Sequence, residues 1–302
     1  MAQAKPARWG QERRLEFIDF RLYWDGRVNR SDLINFFGVS VPQASLDLAK
    51  YQELAPHNTV YDRTEKAYVA SDAFSPAIAS SEANAYLNQV LGVQLGILQP
   101  NSTFYGWPPP VDAVKDPSRN VVPSTLRIVL QAIRAHRKVN IVYQSMSRPL
   151  PVPRTISPHA IAFDGARWHV RAFSYEHDAY RDFVFARILE IDLGDISQVD
   201  ASTDTAWHRE LEAIIMPHPA SSEAQRRAIE LDYGMNDGQL VLKIREALLL
   251  YLLKHLAVLD EPGESAAASP IVLANRKALS PFFADHGFPT EELVKPSRVK
   301  HE

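Results

Sequence analysis

The sequence predicts a multidomain α+β chain, on three observations. Residues 31–55 read as a short helix, a glycine turn and a second helix, with two short β-prone runs after them. Residues 123–193 read as one helix followed by about five strands. Beyond residue 200 helical spacing returns, most strongly over residues 239–256. At 302 residues the chain is too long for one ordinary domain. A hydrophobic content of 46% is enough for sizeable cores.

The N-terminal region opens on a helix over residues 12–24, in which Leu15, Ile18 and Leu22 form an apolar face. Ser31 is the expected N-cap of the next helix, with Leu33, Ile34, Phe36 and Phe37 as its apolar positions. Gly38 can take the left-handed conformation that turns the chain. Ser40 then caps a second helix, and Pro42 fits its first turn, where no helical N–H partner is needed. On a helical wheel Val41, Ala44, Leu48 and Tyr51 face the preceding helix. Pro42, Gln43, Leu46, Ala49 and Lys50 face away, with Ser45 at their flank.

This is the layout of a helix-turn-helix, whose second helix enters a DNA major groove. Gln43 can pair with adenine, Ser45 with several base edges, and Leu46 with a thymine methyl, while Lys50 suits a phosphate. Two β-prone runs, 59–61 and 67–69, flank a polar tip and read as a hairpin wing, with Arg63 and Lys66 placed to reach the backbone or minor groove. The first 30 residues hold seven cations, Arg13 and Arg14 among them, against four carboxylates, in a chain of net charge −3. The expected DNA-contacting set is therefore Arg13, Arg14, Ser40, Val41, Pro42, Gln43, Ser45, Leu46, Lys50, Arg63 and Lys66. The plainer alternative is a packing unit or a protein-interaction module.

Composition excludes several classes. The chain has no cysteine, so disulfides, thiolate zinc sites and cysteine nucleophiles are ruled out. The N-terminus shows no apolar signal-peptide core, and no run approaches the ~20 apolar residues of a membrane span. The expectation is a cytoplasmic protein without a membrane partner. No Walker lysine loop, nucleophile elbow, paired metalloprotease histidines or dinucleotide glycine fingerprint occurs. No enzyme, metal or cofactor is expected.

Residues 74–122 read as a connector containing a helix capped by Ser80 or Ser81 and running to about residue 98. Prolines 108–110 favour extended geometry, and Phe104, Tyr105 and Trp107 suggest a docked segment. The next domain begins near Pro123. Ser124 can cap a helix to about residue 138 carrying Leu126, Val129, Leu130 and Ile133. Strands follow over 139–145, 154–162, 167–175, 181–185 and 188–193, with Asp164-Gly165 as a hairpin turn. One helix and about five strands suggest a small curved sheet or barrel. In the third region residues 207–215 read as helical, and Pro217 and Pro219 interrupt them. Ser222 caps a helix toward Tyr233, residues 236–238 form a turn, and residues 239–256 read as one long helix. Its Leu240, Ile244, Leu248, Tyr251, Leu252 and Leu256 are spaced helically, and Leu249, Leu250 and Leu253 extend apolarity around the other side. Such a helix is buried in its own domain or against a partner.

Arg167-Trp168-His169-Val170-Arg171-Ala172-Phe173, followed by residues 181–188, resembles the WYL domain. In that family a Trp-Tyr-Leu triplet lies on a strand of an Sm-like barrel, and an arginine follows on a later strand. Here the triplet is Trp168-His169-Val170, which keeps a polar ring and an apolar side chain at the two altered positions. Residues 205–256, with Trp207, Pro217-His218-Pro219, Gln225, residues 229–235 and Arg245, resemble the C-terminal extension of one branch of WYL-type transcriptional regulators. The resemblance implies a winged helix-turn-helix over 1–73, a helical linker over 74–122, an Sm-like, ligand-sensing WYL barrel over 123–200 and an α/β extension over 201–302 that serves dimerisation. It further implies a ligand-responsive homodimeric repressor of a bacterial anti-phage defence operon. Two-fold symmetry then implies a palindromic, inverted-repeat operator in double-stranded DNA.

Strand alternation sets Trp168, Val170 and Ala172 on one face and Arg167, His169, Arg171 and Phe173 on the other. Arg187 follows on a later strand, and Ser145 and His159 end or join neighbouring strands. Ser145, His159, Trp168, His169, Arg171 and Arg187 are the expected ligand-binding set, suited to an anionic nucleotide or nucleic-acid fragment. The plain alternative is a solvated strand face with Arg171 and Arg187 paired to Glu190, Asp192 or Asp182. A different function, a single-stranded nucleic-acid-binding protein that uses the barrel itself, stands beside the repressor.

Overall fold

The computed structural model of the chain describes residues 6–114, 117, 119–260 and 269–286. Two compact units are present, Met1–Asp116 and Pro117–Glu302. The first contains α1 (Pro6–Asp25), β1 (Arg27–Val28), α2 (Arg30–Phe37), α3 (Val41–Leu54), β2 (Thr59–Asp62), β3 (Ala67–Ala70) and α4 (Ala83–Gln94). Its sheet is antiparallel in the order β1-β3-β2, so the wing hairpin is extended by a strand from before α2.

Local chemistry sets the element ends. Asn29, not Ser31, caps α2: its Oδ1 accepts from Asp32 N at 3.0 Å, and Asp32 Oδ2 accepts from Asn29 N at 2.8 Å. This reciprocal box satisfies two end donors at once, which a lone serine cannot do. Gly38 ends α2 at φ 66°. Ser40 caps α3 by accepting from Gln43 N at 3.3 Å, with Pro42 in the first turn.

The core joins Ile18, Leu22, Leu33, Ala44, Leu48 and Tyr51, and Phe104 inserts among Phe17, Phe20, Phe36 and Phe37. Asp19 is buried and ties the chain after the wing to α1. Its Oδ2 accepts from the backbone N–H of Ala77, Ile78 and Ala79 at 2.9, 2.7 and 2.8 Å, and its Oδ1 accepts from the Tyr51 hydroxyl. Neither Ser80 nor Ser81 caps α4, which starts behind Glu82 with no side-chain bond. It ends at Gln94, before the left-handed Gly96, and Leu98 folds back onto Gly92.

The second unit begins with α5 (Pro123–Arg134), which starts on its proline rather than on a Ser124 cap. It packs on an antiparallel sheet of β4 (Arg137–Tyr143), β5 (Val152–Phe163), β6 (Trp168–Ser174), β7 (Ala179–Val184) and β8 (Ile188–Ile196), in the order β7-β6-β5-β4-β8. The expected barrel does not close, because no register pairs β7 with β8. The sheet is nevertheless strongly bent. Its two edge strands are joined by a three-residue 3₁₀ turn, Phe185–Arg187. Four residue steps span at most about 14 Å, whereas five flat strands would set the edges about 19 Å apart. Val129, Ala132, Val139, Ile141, Ile156, Val170 and Ala172 form the sheet's buried core.

The remainder comprises α6 (Thr205–His208), β9 (Glu210–Pro217), α7 (Glu223–Asp232), β10 (Leu240–Arg245), α8 (Glu246–His255), β11 (Ile271–Leu273) and α9 (Ser280–Asp285), with a sheet in the order β10-β9-β11. Two expectations fail here. Residues 207–215 are one helical turn and then a strand, and residues 239–256 are a strand and then a helix. In β9 Ala213 and Ile215 are fully buried at two-residue spacing. In β10 Leu240, Leu242 and Ile244 join the core while Val241 and Lys243 face out. A spacing of four satisfies both a helix turn and two strand pleats, so Leu240 and Ile244 fit either reading. Ser222 does cap α7, through a capping box with Gln225.

Candidate nucleic-acid interface and effector face

The outward side of α3 is built by its two ends. The Gly38 turn and the Ser40 cap aim its first residues away from the core, which holds Ala44, Leu48 and Tyr51. Val41, expected on the packed face, is instead 54% exposed, and Leu46 is 63% exposed. Val41 sits at the first helical position, ahead of the stretch that touches α1. Pro42 is exposed beside it, Gln43 and Ser45 are half-buried, and Ser45 Oγ donates to Val41 O at 3.1 Å. Lys50 is exposed and pairs with Glu53 at 2.9 Å.

The cations divide. Arg13 is outward, pairs with Glu16 at 2.8 Å and covers the Phe104 ring at 4.0 Å. Arg14 turns inward: its Nε meets Asp47 Oδ2 at 2.6 Å and its Nη2 meets Oδ1 at 3.3 Å. Asp47 has no exposed surface and also accepts from Gln43 Nε2 at 3.1 Å. Arg14 therefore belongs to the support of α3 rather than to its outer face. In the wing Arg63 and Lys66 are exposed at the tip, and Asp62 Oδ1 holds the turn by accepting from Thr64 N and Glu65 N at 2.7 and 3.0 Å. Lys5 and the Arg8 side chain lie outside the described residues.

The residues expected to bind a ligand fall into two groups. His159, His169 and Arg171 come together but are covered by the chain's own carboxylates. The register of β5 on β6 slips between Pro158 and Ala160, which makes His159 the extra residue of a bulge and re-aims its ring. His159 Nε2 lies 2.9 Å from Asp204 Oδ2. Arg171 meets the same carboxylate through Nε at 2.8 Å and Nη2 at 2.9 Å, and meets Asp182 through Nη1 at 3.2 Å. Tyr251, from α8, donates to the second oxygen of Asp182 at 3.0 Å. His169 is buried beside the Tyr251 ring and donates from Nε2 to Asp164 Oδ2 at 2.8 Å. The solvated strand face is thus replaced by a covered one, although the Arg171–Asp182 pair it invoked does form.

The electrostatics follow from this crowding. Burial pushes the Asp204 carboxyl up, but the hydrogen bonds from His159 and Arg171 outweigh it and hold the group well below the ordinary carboxylate range. Asp164 behaves alike: burial raises it, and His169 with the backbone N–H groups of Ala166 and Arg167 brings it far lower. An ionised Asp164 only accepts, so His169 donates from Nε2, and its buried Nδ1 has no partner among the described residues. Burial, then the neighbouring Asp182 charge, pushes the Tyr251 hydroxyl up.

The other three, Trp168, Ser145 and Arg187, lie outside that cluster. Trp168 is 46% exposed and tilts against Phe163 at 5.0 Å, across the Asp164-Gly165 turn. Gln144 N donates to Arg187 O at 3.0 Å, which brings the backbones around Ser145 and Arg187 side by side. Arg187 is half-buried and forms no ion pair among the described residues. Asp164, Asp182, Asp204 and Tyr251 escaped the sequence reading as site residues. Only Asp164 carried a local signal, and that signal marked a turn.

Three family models match the chain. They describe the BrxR transcriptional regulator winged helix-turn-helix domain over residues 10–92, the WYL domain over 124–193, and the BrxR transcriptional regulator C-terminal dimerization domain over 210–279. The DNA-binding transcriptional repressor CapW of Escherichia coli is 43% identical over 274 residues, 89% of this chain and 91% of that protein. The chain belongs to the CapW family. The CapW repressors of Stenotrophomonas maltophilia and Pseudomonas aeruginosa are 42% and 41% identical, over 85% and 89% of this chain. A solved structure of the proteasome accessory factor B/C of Arthrobacter aurescens aligns with a TM-score of 0.25 at 12% identity, over 93% of this chain and 54% of that one, which carries no functional weight. Within this CapW family member, the dimerization model begins at β9 and ends at Leu279, so β9, α7, β10, α8 and β11 all lie inside it. Among the described residues no helix is long and apolar enough to cross a membrane, and no group of three acidic or histidine residues could hold a metal.

Proposed function

We propose that the chain is a homodimeric, DNA-binding transcriptional repressor that reads a palindromic operator with α3 and answers to an anionic effector at the WYL sheet. The observation that carries this reading is the outward face of α3. A capped N-terminus, a proline in the first turn and a buried opposite face leave Val41, Gln43, Ser45 and Leu46 as the side chains a groove would meet, with Lys50, Arg63 and Lys66 at its margins. Membership of the CapW family supports repression, and the dimerization model supports two copies per operator. Resemblance to the repressors of anti-phage defence operons extends the proposal to the genes under control.

For the effector, Arg171 and His159 share Asp204 as an internal anion. A nucleotide phosphate or nucleic-acid fragment that reached Arg171 and His159 would compete with that carboxylate and free the segment that leads into the dimerization region. Differential affinity of the effector for the latched and released forms is what would shift DNA binding. The covered state of His169 and Arg171 argues against single-strand binding as the main task, since that face is neutralised by its own acids.

A gel-shift titration on the DNA upstream of the gene, with random duplex in excess, tests the core of the proposal. A discrete competitor-resistant complex is expected. Gln43→Ala with Ser45→Ala should weaken the specific complex by one to two orders of magnitude while sparing the non-specific one, following the ~1–3 kcal/mol of a good base contact. Equal losses on both DNAs would remove α3 as the reading element.

A further inference from the structure

The Arg14–Asp47–Gln43 chain does more than pack α3 on α1. Asp47 is fully buried and receives Arg14 through two nitrogens, one at each carboxylate oxygen, so both oxygens act as acceptors. The Gln43 amide meets it at 3.1 Å and must therefore turn its NH₂ toward Asp47. One amide hydrogen is taken up. The second N–H and the Oε1 carbonyl remain for an outside partner, as one donor beside one acceptor. An adenine edge takes that pair bidentately, through N7 and N6. A glutamine free to flip could instead offer its NH₂ to N7 and O6 of guanine, which are both acceptors.

We infer that Asp47 is a specificity-determining positioning residue, which fixes the amide polarity of Gln43 from the buried side of α3 and so selects adenine over guanine at one position of each half-site. The inference rests on α3 being the recognition helix.

Asp47→Asn tests it. The shorter Arg14 contact, 2.6 Å against 3.3 Å, keeps an oxygen at the Oδ2 position and places the new NH₂ opposite Gln43. Gln43 then flips its carbonyl inward and presents NH₂ outward. Binding selection from randomised duplexes, with the full-length parent, Gln43→Ala and Asp47→Asn, reads the base preference at every position. The expected result is loss of preference at one position per half-site for Gln43→Ala, and at that same position a change from adenine to guanine of about tenfold or more for Asp47→Asn. Uniform weakening in Asp47→Asn with adenine still preferred would reduce Asp47 to a brace and overturn the inference. Unchanged preference everywhere in Gln43→Ala would overturn the recognition-helix reading itself, and the inference with it. Should Asp47→Asn fail to fold by circular dichroism, the double variant Gln43→Glu, Asp47→Asn restores a donor–acceptor pair in reverse. It presents only acceptors outward and should prefer the N4 donor of cytosine, whereas retained adenine preference would overturn the inference.

Discussion

A carboxylate taken out of water has to be surrounded by donors, and Asp204 meets His159, Arg171 through Nε and Nη2, and the Trp207 backbone N–H within 3.3 Å. Its bonds hold its pKa below the unfolded carboxylate value despite burial. A depressed folded pKa stabilises the native state fully above the unfolded value of about 3.9 and loses that contribution as pH falls from there toward the folded value. Asp204→Asn should therefore lower stability by about 3 kcal/mol at pH 7, because it breaks a buried pair and leaves Arg171 partly uncompensated. Denaturant melts of parent and variant at pH 7 and pH 3 should show the gap narrowing at the lower pH. A gap that widens there would contradict the role given to Asp204. At this scale the sequence was legible on one side only. It placed His159, His169 and Arg171 in one ligand-binding set and offered Asp182 as a partner for Arg171, but it did not find Asp164 or Asp204. Asp204 lies 33 residues beyond Arg171 and reaches it only through the fold. Asp47, by contrast, stands four residues from Gln43 on one helix, a spacing that sets two side chains next to each other on any α-helix.

Elements were read well where one periodicity ruled. The helix-turn-helix, the wing and the five strands of the WYL sheet match their expected positions to within a few residues, since turns and caps at Gly38, Ser40 and Asp164 mark their borders. Reading failed over residues 239–256, where β10 and α8 meet without a glycine or proline between them. The start of α8 behind Arg245 has no side-chain cap either. The wing supports a prediction of its own. Arg63 and Lys66 are exposed at its tip, and no ion pair holds either among the described residues. Cations that neutralise phosphates act on any sequence and release counterions, at a slope of about 0.9 per contact in a plot of log affinity against log salt. Arg63→Ala and Lys66→Ala should each lower that slope by about one, and should weaken operator and random duplex alike. Fluorescence-anisotropy titrations at several salt concentrations measure both quantities. An unchanged slope would move the wing off the DNA.

On the scale of the whole molecule, function depends on two chains held by one region and reading DNA with another. A dimerization model covers residues 210–279, and a winged-helix model covers residues 10–92, so the contacts that pair the chains lie far in sequence from those that read bases. The α8 helix links the dimerization region to the face of the WYL sheet that carries His169 and Arg171. Its Tyr251 bonds Asp182 and lies tilted against the His169 ring, and its His255 lies against the Gly165 turn, where an added Cβ would come within 2.9 Å of the imidazole. A symmetric dimer on B-form DNA must meet its half-sites on one side of the duplex, which means whole turns of about 10 base pairs between their centres. Once the operator is known, inserting about five base pairs at its centre rotates one half-site to the far side and should reduce binding to that of a single half-site. Inserting about ten restores the facing and should recover part of the lost affinity, to the extent that the two DNA-binding units can spread. Gel shifts on the three spacings, with sedimentation to count chains per duplex, decide the matter. Equal affinity at all three spacings, or one chain per operator, would replace the two-fold repressor with a monomer that reads one site.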